Sequence, residues 1–139
     1  MPGKKKKDSR EFLLEAITEA LLNKKAKDPM ILDFEGSGHS VCDAFIIAHG
    51  TSRTQCEALA DEVIHSVKKN TGLNPWHKEG LENAEWILID YIDVVVHIFQ
   101  EAQRKFFNLE QLWADAGVRR LEEQKQENNN SFRTRQNGR

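Results

Sequence analysis

Polar and apolar positions follow two rhythms along this chain, one of period two and one of period three to four. The sharpest pattern lies between Trp86 and Phe99. There WILIDYIDVVVHIF sets two runs of bulky β-formers, Trp86 to Ile89 and Val94 to Phe99, around the polar interruption Asp90-Tyr91-Ile92-Asp93. Each run is too short for a buried helix, so the pattern predicts two buried strands joined by a tight turn. Alternation along the first strand sends Trp86, Leu88 and Asp90 to one face and Ile87 and Ile89 to the other. The turn holds two carboxylates and a phenol at the rim of a rigid sheet, within reach of a partner, and is the functional candidate of the chain.

The helical rhythm appears twice upstream. Asp8-x-x-Glu11 has the form of a capping box, and Phe12, Leu13, Ala16, Ile17, Ala20 and Leu21 then recur as one apolar stripe that runs down near Asn23 and Lys24. Pro29 blocks any continuation. Met30 to Phe34 and Ala44 to Ala48 read as strands separated by the turn-rich Glu35-Gly36-Ser37-Gly38-His39, and a hairpin is the economical connection. Ser52 and Gln55 make a second capping box, opening a long helix that buries Cys56, Leu59, Ala60, Val63 and Val67 and stops at Gly72. A helix between strands is a crossover connection, so the sheet should be partly parallel.

Downstream signals are weaker. Leu73 to Lys78 is a short strand that Pro75 confines to a sheet edge, with Trp76 either exposed there or part of the core. Glu79 to Glu85 reads as loop. Gln100 to Phe107 holds one or two helical turns, and Asn108 with Gln111 caps a last short helix bearing Leu109, Leu112, Trp113 and Ala116, stopped by Gly117. The expected organisation is a basic structureless leader over residues 1–7, one α/β domain over 8–120 built on a mixed sheet of about five strands with flanking helices, and a Gln-, Asn- and Arg-rich disordered tail over 121–139.

Composition narrows the function classes. A chain of 139 residues is long enough for one real core. It has neither an apolar run near the ~18 residues of a membrane span nor the apolar core of a signal peptide, so the protein is expected to stay where it is made, in the cytoplasm. Cys42 and Cys56 show no metal or redox spacing and read as reduced, small hydrophobes. The net charge of −2 hides an asymmetry: residues 1–10 carry +4 and residues 119–139 carry +3, which leaves −2 − 4 − 3 = −9 for residues 11–118. An acidic body with basic ends suits a basic protein partner better than direct binding of nucleic acid by the body, although a solvated surface alone would show the same charge.

Several motifs, in order, resemble the ribosomal silencing factor (Iojap-like) family. They are Asp43-Ala44-Phe45-Ile46-Ile47-Ala48 leading into Gly50-Thr51-Ser52, then Ala60-Asp61-Glu62-Val63, Glu79-Gly80, the Trp86 strand with Asp90-Tyr91-x-Asp93 and Val94-Val95-Val96-His97-x-Phe99, and Leu109-x-x-Leu112-Trp113-x-Asp115-Ala116. The resemblance covers roughly Phe12 to Gly117. It implies a nucleotidyltransferase-like topology without the activity, and a protein that is not an enzyme. The implied role is to bind the large ribosomal subunit through its conserved fourteenth protein and block joining of the small subunit when nutrients are scarce. By residue matching it places Trp86, Leu88, Asp90, Tyr91, Asp93, His97 and Phe99 at or directly behind the docking surface, and it adds a homodimer through the sheet. Tyr91, an amphipathic aromatic at a rim, is the expected anchor. One departure concerns the turn: the family most often has Gly where this chain has Ile92, and a β-branched residue resists positive φ, so the turn either differs in shape or carries ~1 to 3 kcal/mol of strain.

Other chemistry has weaker support. Gly50-Thr51-Ser52 at a helix N-terminus could welcome a phosphate, and with Asp90 and Asp93 around magnesium it would make a nucleotidyltransferase-type enzyme, the alternative reading. An ordinary N-cap and aspartates that satisfy their own turn are the bland alternatives, and no Asp-x-Asp follows Ser52. Lys4 to Lys7 could touch ribosomal RNA phosphates, but short lysine runs more often serve as solubilising tails. The five histidines show no ligand spacing, and His97 between Val96 and Ile98 reads as a structural imidazole. No cofactor or metal is expected.

Overall fold

The computed structural model of the chain describes residues 2–34, 42–113 and 117–120. The first helix, α1, runs Pro2–Asn23. It takes in the backbone of Pro2 to Lys7, the segment expected to be structureless, because lysine is a good helix former and proline is at home in the first turn. Its buried stripe is Leu13, Leu14, Ala16, Ile17, Ala20 and Leu21. Phe12, expected in that stripe, lies outside it and is 64% exposed, while Leu14 closes the other margin. At ~100° per residue, Phe12 and Leu14 flank Leu13 on opposite sides, and only one of them can face the sheet.

Strand β1 (Lys27–Asp33) starts earlier than its apolar run, at a bulge between Lys27 and Met30 that accommodates Pro29. It pairs antiparallel with β2 (Ala44–Gly50), as the hairpin reading requires, while the turn residues 35–41 lie outside the described residues. The helix α2 (Arg53–Thr71) buries all five of its predicted positions and ends at Gly72, which has φ 81. It carries the chain over to β3 (His77–Glu79), β4 (Trp86–Asp90) and β5 (Val94–Gln100), and β5 then lies parallel to β2. Two short helices follow, α3 (Glu101–Phe107) and α4 (Leu109–Leu112).

One strand was not foreseen. Gly117, expected only to stop a helix, opens β6 (Gly117–Arg120), which pairs antiparallel with Met30–Asp33. Four residues with one apolar side chain carry no alternation signal, and their pairing is decided by the edge that β1 offers. The sheet of about five strands therefore has six, in the order β3-β4-β5-β2-β1-β6. The proposed domain limits at 8–120 meet a helix that begins at Pro2, and the tail beyond Arg120 lies outside the described residues.

The sheet has two unlike faces. Ile31, Ala44, Ile46, Ala48, Ile87, Ile89, Val94, Val96 and Ile98 point toward α1 and α2 and form the main core with Ile17, Leu21, Leu59 and Val63. Full burial of each such aliphatic contributes roughly 1.5–3 kcal/mol. On the opposite face, Met30, Leu32, Phe34, Ile47, Phe99 and Leu109 form a smaller cluster, with Phe45, Trp86 and Trp113 half-buried at its margin. Only the short C-terminal elements lie over this second face among the described residues. Strands β4 and β5 cross its open part.

Candidate functional site

The β4–β5 turn is built by its own aspartates. Asp90 Oδ1 accepts from the Ile92 N–H at 2.7 Å, and the backbone closes through Asp93 N–H to Tyr91 O at 3.0 Å and Tyr91 N–H to Val94 O at 2.9 Å. The side-chain bond is the turn-forming role that short acidic residues commonly take. The conformation demands φ 78 at Ile92, so the chain keeps a left-handed turn residue despite a β-branched side chain there. Ile92 itself is 60% exposed at the tip.

The turn is tied to its neighbours on two sides. Asp93 O accepts from Asp43 N–H at 2.8 Å and Ala44 N–H at 3.2 Å, and the Asp43 carboxylate in turn meets Arg10 Nη1 of α1 at 3.3 Å. On the other side, Trp76 N–H donates to Asp90 O at 2.8 Å. That bond holds the Trp76 indole beside the turn, where it is 72% exposed, which decides between its two sequence readings in favour of the edge. Gly80, at φ 82, backs so closely onto the Trp86 carbonyl that a Cβ there would collide with it.

Tyr91 does not occupy the position expected of an anchor. Its side chain turns into the core under α1 and α2, its hydroxyl has no hydrogen-bond partner among the described residues, and burial pushes its pKa up to about 12. The period-two reading stops at the turn, so nothing in the sequence says which way a turn residue points. The exposed apolar side chain of the turn is Ile92, its neighbour.

The other named residues lie on the second face. Trp86, Leu88 and Asp90 face out at half-exposure while Ile87 and Ile89 are buried, as alternation predicts. Their partners on β5 are Phe99, His97 and Val95. Trp86 Nε1 donates to His97 Nδ1 at 3.0 Å, which fixes the neutral imidazole with its proton on Nε2. Burial lowers the His97 pKa to about 4, in a nest made by Phe45, 4.4 Å away ring to ring, and Phe99. His97 and Phe99 are thus support for the surface, whereas Trp86, Leu88, Asp90 and Asp93 reach it.

Sequence reasoning passed over the apolar groups contributed by α3, and named Leu112 of α4 only as part of its helix. The Phe107 ring lies 4.6 Å from that of Trp86, tilted by 46°, and Phe106 and Leu112 stand out at 81% and 68% exposure. Adjacent phenylalanines on a short helix were the available signal, since both cannot face the sheet.

The phosphate reading of Gly50-Thr51-Ser52 finds part of its donor set already used. The Gln55 N–H is capped by Ser52 Oγ at 3.1 Å, and the Thr51 N–H and hydroxyl both donate to Gln55 Oε1, at 2.7 and 3.0 Å. Register also separates this segment from the aspartates: Ala44 pairs with Val94 beside the turn, and Gly50 pairs with Gln100 at the far end. Six residues of strand put about 20 Å between the two ends. One magnesium nucleotide could not span Gly50-Thr51-Ser52, Asp90 and Asp93 as the enzyme reading requires. Among the described residues no group of three or more His, Cys, Asp or Glu is placed to hold a metal ion.

Residues 6–139 match the family described as ribosomal silencing factor during starvation. The chain belongs to the ribosomal silencing factor family. It is 40% identical over 114 residues to the ribosomal silencing factor RsfS of Halalkalibacterium halodurans, covering 82% of this chain and 96% of that protein. The RsfS of Bacillus subtilis is 38% identical over 114 residues, covering 82% and 95%. A crystal structure from Bacillus halodurans, 38% identical, superposes with a TM-score of 0.68 over 78% of this chain and 97% of that one. These relatives are named as silencing factors, and the chain's role in ribosome silencing and translation regulation follows from the family. Among the described residues, no helix is long and apolar enough to cross a membrane.

Proposed function

We propose that this silencing factor docks its second sheet face and β4–β5 turn on the large ribosomal subunit, through that subunit's conserved fourteenth protein. Docked there, it sterically keeps the small subunit from joining and lowers translation when nutrients are limiting. The observation that carries the reading is the composition of the surface: exposed Ile92 and Trp76 flank the Asp90 and Asp93 carboxylates, and the half-exposed Trp86 and Leu88 continue it along β4. Apolar anchors among carboxylates suit a basic protein partner, where the apolar groups supply affinity and the carboxylates supply register and rate. No bond needs to be made or broken.

The body's charge of −9 over residues 11–118, from −2 − 4 − 3, works in the same direction, and the basic ends would add peripheral contacts to ribosomal RNA. A homodimer formed through the sheet would cover the same face, so dimerisation and docking would exclude one another. The site of action is then the cytoplasm. The test is to add the protein in rising amounts to separated subunits and follow the joined ribosomes on a density gradient. A fall in the joined peak with a matching rise in free large subunits is expected. An unchanged joined peak at saturating protein would overturn the proposal.

A further inference from the structure

The two basic ends of the chain start from opposite ends of the sheet. Asp33 and Ala44 mark the turn end, since Ala44 pairs with Val94 and with Asp33, and Asp33 pairs with Gly117. From Gly117 the last strand runs to Arg120, opposite Met30, and so carries the C-terminal segment away from the turn. The N-terminal end is held beside the turn instead. Arg10 Nη1 donates to Asp43 Oδ2 at 3.3 Å, with the Arg10 side chain only 11% exposed, and the Asp43 N–H donates to Asp93 O at 2.8 Å. One ion pair and one backbone bond thus tie α1 to the turn that carries the docking carboxylates.

Lys4 to Lys7 belong to the same helix, which runs from Pro2 to Asn23. Three to six residues separate them from Arg10, so at ~1.5 Å per residue their backbone lies about 5–9 Å further along the axis. The first turn holds no acidic residue, and four cations therefore gather at the positive end of the helix dipole and repel one another. Asp8 and Glu11, four residues after Lys4 and Lys7, offset this only in the weaker orientation, with the cation on the N-terminal side. An anionic partner relieves both costs. Four consecutive positions spread over about 300° of the helix circumference, which leaves this part of the helix without the apolar stripe that a membrane-surface helix needs. Its charge suits a polyanion.

We propose that these first turns of α1 form a second contact with the large subunit, an arm whose four lysine charges take ribosomal RNA phosphates beside the docked turn. The inference rests on the docking reading and assigns its RNA contact to the N-terminal arm rather than to the C-terminal segment. The Arg10–Asp43 pair fixes the direction in which the arm leaves the turn. Because the arm extends a packed helix, its backbone is ordered before binding, and docking of the turn presents it to the RNA at high effective concentration. It also offsets the repulsion between RNA phosphates and an acidic body.

The experiment measures affinity of the full chain for isolated large subunits between about 50 and 200 mM salt, beside a Lys4→Gln, Lys5→Gln, Lys6→Gln, Lys7→Gln variant. Glutamine matches lysine in helix propensity, so the urea midpoint should be unchanged or higher. Four phosphate contacts steepen the salt dependence of log Kd by about 3, so the advantage of the wild type over the variant should shrink about fiftyfold across that range. Removing residues 127–139 should lower the slope less than the lysine replacements do. Both full-length proteins should bind the isolated fourteenth protein equally. Equal salt slopes with large-subunit binding intact would overturn the arm and leave the docking reading standing, whereas no binding by the wild type would overturn both. A larger effect of the C-terminal truncation, or a loss of affinity for the isolated protein in the lysine variant, would overturn the assignment of the arm to RNA.

Discussion

Trp86 on β4 donates its indole N–H to His97 on β5 at 3.0 Å, and burial with that bond keeps the imidazole neutral beneath the second sheet face. The folded state refuses a proton that the unfolded chain accepts.

The pH consequence has a definite sign. Unfolded histidine titrates near 6.5, whereas burial lowers folded His97 to about 4. Its contribution to stability is complete above pH 6.5 and is lost progressively as pH falls toward 4, amounting to about 3 kcal/mol in all. Urea unfolding at pH 7 and at pH 4.5 measures it. His97→Gln keeps an acceptor for Trp86 but does not titrate, and should lose clearly less stability over that interval than the wild type. His49, also lowered, contributes equally to both proteins and drops out of the difference. Identical losses would refute the assignment.

Ile92 sits at φ 78 with its side chain 60% exposed, so it strains the backbone while burying little. Glycine takes that conformation freely but costs about 0.5–1 kcal/mol of extra chain entropy. Set against ~1 to 3 kcal/mol of strain, Ile92→Gly should stabilise by about 0.5–1 kcal/mol, and Ile92→Val should gain nothing. A lower urea midpoint for the glycine variant would show that the turn is not strained.

Phe12 and Leu14 test the orientation of α1. Phe12→Ala should change stability by less than about 0.5 kcal/mol, as surface substitutions usually do. Leu14→Ala should cost about 2–4 kcal/mol, because Leu14 is buried. The reverse order would mean that the helix is rotated about its axis.

The sequence made some features readable and concealed others for physical reasons. Strands β4 and β5 were visible because alternation and β-branching agree over Trp86–Phe99, and α2 because its cap, stripe and stop all point to one helix. The seven named site residues divide by the same logic. Trp86, Leu88 and Asp90 could be placed by period, whereas Tyr91 lies in a turn, where direction is set by φ and ψ rather than by spacing. Strand β6 was hidden because its pairing depends on the free edge of β1, a property of distant residues. The polar cleft around Arg104, lined by Asp28 of β1, His49 of β2 and Glu110 of α4, was hidden for a similar reason, since three separate elements bring these residues together.

The most direct measurement of the central claim is cosedimentation with isolated large subunits, small subunits and joined ribosomes. The wild type is run beside a Leu88→Arg, Asp93→Lys double variant, which places positive charge on half-exposed positions of the docking face and turn. Both positions tolerate solvent, so circular dichroism and the urea midpoint should confirm an intact fold. The wild type is expected to pellet with free large subunits alone, and the double variant to stay in solution. Pelleting of the variant as fully as the wild type, or no pelleting of the wild type with large subunits, would contradict it.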